Sequence, residues 1–230
     1  MKFKRLPYLK RLLRLRLETL NDYIDESHEN LIAKQQSLDY KLDNALEGID
    51  DSDNTQNIID NHLDENLKYF KDFPSYFNES SFLIVYSFLE ANLARICKLA
   101  RLDINTYNPK APIITLPKSS YLQDSKKYLV TDCGLSLKSK ENVWRKLDNL
   151  RDFRNFIAHN NLDLKQTKNL TEKAKKKNTV NYINRVFKKC VIIDNAEKYK
   201  IENHQLILDT LKLTEEYLFY VIEQVLKKCK

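Results

Sequence analysis

Arg154, Asn155 and His159 have the types and the spacing to act together on an anion. On a helical wheel at about 100° per residue, Val143, Leu147, Leu150 and Ile157 fall on one narrow apolar stripe, and Arg154 falls in its middle. A fixed cation thus stands where an aliphatic side chain is expected, and an unpaired buried guanidinium costs several kcal/mol. Its charge calls for a carboxylate such as Glu90 or for a bound anion, and the sequence leaves both open. A second stripe carries Arg151, Asn155 and His159, each four residues apart, so that these side chains project towards one region. A helix-terminal imidazole favoured by the helix dipole and a structural Arg154–Glu90 salt bridge are the plain structural readings of the same residues.

The element that must position them reads as a helix from about Ser139, a candidate N-cap, to Asn160-Asn161, whose side-chain type tolerates left-handed backbone angles. Earlier helices are expected over residues 3–24, 29–46, 55–70 and 82–102. Gly48 and the run 50–54 are expected to break the second, Pro74 to mark a junction, and Ser80 or Ser81 to cap the last. Residues 103–118 hold Pro109, Pro112 and Pro117 and read as a loop. A short helix is expected over 121–130, ended by Cys133-Gly134. After the motif, 165–181 reads as a flexible Lys-rich stretch, 191–201 as a small hairpin, and 205–227 as a closing apolar helix. The expectation is an all-α antiparallel bundle with one hairpin, divided into an N-terminal helical arm or bundle (1–72) and a main domain (73–230). Only 2 glycines occur, which argues against all-β and dinucleotide-binding folds.

Arg154-Asn155-x-x-x-His159 at the end of a helix resembles the Arg-x4-6-His motif of the HEPN family of helical ribonucleases. The surroundings are similar: an earlier helix with Leu89-Glu90, a basic insertion and hairpin after the motif, and a closing apolar helix. The resemblance covers about residues 75–228 and leaves 1–72 unexplained. Asn161 stands where the antitoxin-paired subgroup of the family has a Tyr. The resemblance implies an HEPN-like fold and metal-independent endonucleolytic cleavage of RNA by 2′-hydroxyl attack, without a cofactor, in a toxin or antiphage-defence setting. It further implies catalysis by Arg154, Asn155 and His159, with Glu90 and Arg151 in support. His28, His62 and His204 lie outside the motif, so a homodimer with facing motifs is expected to supply the second proton-transfer group. An antitoxin or other regulatory partner is compatible with that setting. The alternatives are a non-catalytic HEPN-like module binding RNA, nucleotide or protein, and a purely structural helical dimer.

The charge of +7 is segregated. Lys2, Lys4, Arg5, Lys10, Arg11, Arg14 and Arg16 make the start basic, whereas residues 18–66 are acidic. Lys165, Lys168, Lys173, Lys175, Lys176 and Lys177 form a second basic stretch and are the expected RNA contacts. Cys97, Cys133, Cys190 and Cys229 are scattered, with no metal or disulfide spacing, as expected of a cytoplasmic protein. No apolar run of membrane-spanning length is present, so no membrane association is expected.

Overall fold

Leu6, Leu9, Leu13, Leu17 and Ile24 share one helical face and are all buried, so a single apolar stripe fixes the N-terminal half of the first helix. The computed structural model describes residues 5–47, 52–107, 122–167, 169–194 and 196–229. The helices are α1 (Arg5–Leu46), α2 (Ser52–Leu67), α3 (Phe73–Tyr107), α4 (Leu122–Thr131), α5 (Glu141–Asn160), α6 (Leu170–Val186) and α7 (Gln205–Lys228). The strands β1 (Val191–Ile193) and β2 (Tyr199–Ile201) pair antiparallel, with Val191 opposite Ile201. The architecture is therefore all-α with one small hairpin.

Helix α3 pairs with α7 at the centre, and α1 and α5 each pack on both. Side-chain contacts give the directions. Asn78 near the start of α3 donates to the Ile201 carbonyl just before α7 (2.8 Å), so these two run parallel. Arg5 meets Asp103 near the end of α3 (3.2 Å), while His28 stacks on His204 before α7 (3.8 Å), so α1 runs antiparallel to both. Tyr86 donates to the Leu147 carbonyl (3.1 Å) and Phe82 packs edge-on against Phe153 (5.4 Å), which sets α5 antiparallel to α3.

Several expected boundaries differ. The helices expected over 3–24 and 29–46 are one helix, and Pro7 sits in its first turn, where no intrahelical N–H bond is lost. Gly48, Asp50 and Asp51 lie outside the described residues, and Ser52 already opens α2. Pro74 does not interrupt the chain. Residues 68–72 form a π-helical turn in which the Phe73 N–H bonds to the Lys68 carbonyl, and both flanks remain helical. A wider turn relieves the clash and the missing N–H that proline brings to a helix. Ser80 therefore sits mid-helix, bonded back to the Tyr76 carbonyl (2.7 Å), and caps nothing. The division expected at 72/73 falls within this helical run, and Leu6, Leu9, Leu13, Leu17 and Ile24 join the same core as residues of 73–230. Pro109, Pro112 and Pro117 lie outside the described residues.

The N-terminal helix is tied on by more than apolar packing. Asp103, 1% exposed, accepts from the Leu6 backbone N–H (3.3 Å) and from Arg5, capping the start of α1 from the end of α3. Lys10 pairs with Glu223 of α7 (2.6 Å). Leu13→Ala is expected to lower the stability of the whole chain by about 3 kcal/mol in one cooperative transition, and Asp103→Ala by about 1 kcal/mol. Denaturant unfolding followed by both tryptophan fluorescence and circular dichroism checks this; non-coincident transitions would show that α1 unfolds separately.

Candidate functional site

Helix α5 carries the motif on its last two turns. Ser139 does not cap it. A 3-10 turn at Lys138–Lys140 leads in, and the Ser139 hydroxyl bonds to Tyr220 instead (2.6 Å). The C-terminus is as expected: Asn161 is left-handed (φ 47°), and its N–H bonds to the Ile157 carbonyl (2.9 Å). Leu162 is also left-handed (φ 59°), fully buried, and bonded to the Phe156 carbonyl. This reversal runs the chain beside the hairpin. The Tyr199 N–H bonds to the Leu162 carbonyl (2.9 Å), and Asp163 forms a bridge to Lys198.

The stretch expected to be flexible is instead helix α6, lying against α5. Asn169 caps it by accepting from the Glu172 N–H (2.8 Å), and Val180 and Ile183 are buried under it. Between α5 and α6 opens a cleft of about 340 Å³. Asn155, Phe156, His159 and Asn160 line one wall, with Asp152; Glu172, Lys175, Lys176 and Thr179 line the other. His159 is exposed there and has no hydrogen bond or ion pair among the described residues.

Arg154 sits on the flank facing α3. One terminal nitrogen donates to the Asn155 Oδ1 (3.0 Å), and the other lies 3.5 Å from Glu90. Its side chain is 29% exposed, while its Nε is buried without a partner. The expected burial in the apolar stripe is therefore only partial, and of the two expected answers the carboxylate is present, at a distance and without satisfying the whole guanidinium. Burial raises the Glu90 carboxyl above the ordinary glutamate value, and Arg154, then Arg151, pull it back. Arg151 pairs with Asp148 (3.0 Å) and Asp152 (3.1 Å) and does not line the cleft. The structure therefore brings Asn155 and His159 into one cleft, and leaves Arg154, which bonds to Asn155, outside the lining with Arg151 and Glu90.

The expected RNA-binding lysines are not gathered in one place among the described residues. Lys168 lies outside the described residues, and Lys165 and Lys177 are exposed beyond the cleft lining. Lys173 pairs with Glu197 (2.8 Å), a contact that holds the Glu197 carboxyl below its usual range. Among the described residues of this set, only Lys175 and Lys176 line the cleft. Asp152, Glu172 and Thr179 were not singled out in the sequence, and Asn160 was read only as part of the helix stop. Asp152 and Asn160 lie on the same face of α5 as Asn155, Phe156 and His159, and the Asn169-x-x-Glu172 cap signals α6, whose i, i+4 and i+7 positions are Glu172, Lys176 and Thr179.

Among the described residues, no cluster of three or more His, Cys, Asp or Glu side chains is placed to hold a metal ion, and no helix is long and apolar enough to cross a membrane. Comparison of the chain with protein-family models, with curated proteins and with solved structures finds no match.

Arg154→Ala is expected to raise the Glu90 carboxyl further, because it removes the larger of the two charges that lower it. A carboxyl raised in the folded state binds its proton more tightly there than in the unfolded chain. Its contribution to stability is full below the ordinary value of 4.5 and is lost as pH rises through the folded value. The variant should show a steeper loss of melting temperature with rising pH over that window. A Glu90 carbon-13 titration unchanged from wild type would contradict the coupling.

Proposed function

We propose that this chain is an HEPN-like endoribonuclease that cleaves RNA by attack of a 2′-hydroxyl on the adjacent phosphate. The bond from phosphorus to the 5′-oxygen breaks, and a 2′,3′-cyclic phosphate and a free 5′-hydroxyl result. One proton must leave the 2′-hydroxyl and one must reach the 5′-oxygen, and charge on the phosphorane must be held. The observation that carries this reading is that Asn155 and His159 line one cleft while Asn155 is bonded to Arg154 on the adjoining flank.

His159 is unengaged and solvent-facing, as a group that moves a proton needs to be. Asn155 has its carbonyl oxygen fixed by Arg154, which leaves its amide N–H groups for a phosphate oxygen. The 3.5 Å approach of Arg154 to Glu90 is longer than the roughly 2.7–2.9 Å of a strong charge-assisted bond, so that nitrogen is held loosely enough to turn to phosphate. Lys175, 69% exposed with one long contact to Asp152 (3.5 Å), offers a further cation on the facing wall. His28 and His204 stack on each other before the start of α7 and do not line this cleft. A second copy of the chain, with its own cleft facing this one, supplies the second proton-transfer group in this reading. As a toxin or defence effector, the active chain would arrest growth on expression and a site variant would not.

His159→Ala is expected to abolish RNA cleavage in the presence of a chelator, a loss of at least about 10²-fold, with an unchanged circular dichroism spectrum. Arg154→Lys should retain binding and lose most of the rate, since a lysine keeps the charge and loses the fork. Wild-type protein that binds single-stranded RNA and never cleaves it would favour a non-catalytic module, a role to which the engagement of Arg154 by Asn155 and Glu90 is also suited.

A further inference from the structure

We infer that Lys176 is a positioning residue that sets the place of His159, and that it is not an RNA ligand; the catalytic part of this inference rests on reading the α5–α6 cleft as the cleavage site. The Lys176 side chain is 11% exposed. It donates to Asn160 Oδ1 (2.6 Å) and Thr167 Oγ1 (3.2 Å) and pairs with Glu172 (3.0 Å). A lysine ammonium has three N–H donors, and here three acceptors of the protein itself surround it. Its remaining side lies over the Phe156 ring, 5.0 Å from the centroid. Nothing is left over for a phosphate, and displacing these partners would strand a nearly buried charge.

The partners define what the contact does. Asn160 is the residue after His159, and its amide also donates to the Gln166 carbonyl (3.3 Å). Thr167 lies beyond the chain reversal, and Glu172 is in the first turn of α6. One cation thus joins the last residue of α5, the loop that leaves it and the helix that returns. The backbone it holds is the left-handed pair Asn161–Leu162, a conformation that non-glycine residues adopt only when their surroundings enforce it. Release of Lys176 lets the last turn of α5 relax, and His159 is in that turn. Lys175, its neighbour in sequence, has the opposite environment, with its side chain open to solvent and a single long contact to Asp152.

The two lysines should therefore separate in kinetics. In the full-length chain, with a single-stranded RNA oligonucleotide as substrate, Lys176→Gln is expected to lower kcat by about ten- to a hundred-fold with little change in KM. Lys175→Gln is expected to raise KM and flatten its salt dependence, with kcat kept. A readout without RNA keeps the inference testable whatever the chain cleaves. In Lys176→Gln, the His159 imidazole resonances should shift, and the Asn161 and Leu162 amides should exchange faster, while Lys175→Gln leaves both as in wild type. Asn160→Ala, which removes one acceptor and leaves the lysine in place, should move the same signals if Lys176→Gln fails to fold. Unchanged His159 resonances and unchanged amide protection in both Lys176→Gln and Asn160→Ala would overturn the inference. So would a Lys176→Gln defect confined to KM and the salt slope, which is the signature of an ordinary phosphate contact. Absence of RNA cleavage by wild type, with the NMR shifts present, would sink the nuclease reading alone.

Discussion

Two consecutive left-handed residues, Asn161 and Leu162, turn the chain back at the end of α5, and most of the candidate site follows from that turn. A left-handed residue other than glycine costs about 1–2 kcal/mol. Asparagine tolerates the conformation, whereas leucine does not ordinarily adopt it. What holds Leu162 is its complete burial, its N–H bond to Phe156 and its carbonyl bond from Tyr199. The reversal lays residues 162–164 along the hairpin, brings α6 back across α5, and leaves the end of the motif helix as the wall of a cleft. Had α5 continued, His159 would lie mid-helix with no opposing surface.

The charge pattern takes on a different meaning once α6 is a helix. A run of lysines in a flexible segment would present its charges outward together. On a helix packed against α5 they are sorted by angle. Lys173 meets Glu197, Lys176 is enclosed, and Lys175 points over the cleft towards Asp152. The carboxylates Asp152 and Glu172 occupy the same cleft as the cations. A polyanion would then have to compete with internal carboxylates, and of the two lysines that line the cleft the one free enough to change partner is Lys175.

At the other end of the bundle, Asp103 and the Lys10–Glu223 pair bind the N-terminal helix to α3 and α7. Arg14 lies over the Phe219 ring (5.7 Å), and Lys10 over the same ring (5.3 Å). Part of the N-terminal basic cluster is therefore spent on intramolecular contacts. The central pair α3 and α7 is braced by α1 on one flank and α5 on the other, so the motif helix and the N-terminal helix share a core without touching the same face of it.

Periodicity by itself determined the helices whose apolar faces are continuous. The stripes of α1, α5 and α7, the Asn161 stop and the hairpin over 191–201 were legible because burial on one face imposes a spacing of three and four, and left-handed caps favour Asn. The triplet Arg154, Asn155 and His159 was legible for the same reason, a cation misplaced in an apolar stripe. Tertiary structure decided the rest. Pro74 reads locally as a break, and only the π-helical turn before it lets the helix pass. Lys173–Lys177 reads locally as a solvated run, because few apolar residues accompany it; Val180 and Ile183, together with the cap at Asn169, make it a packed helix. The division of labour between Lys175 and Lys176 could not be read from two adjacent identical residues. It depends on about 100° of helical rotation, which turns one side chain to the solvent and the other in among Asn160, Thr167 and Glu172.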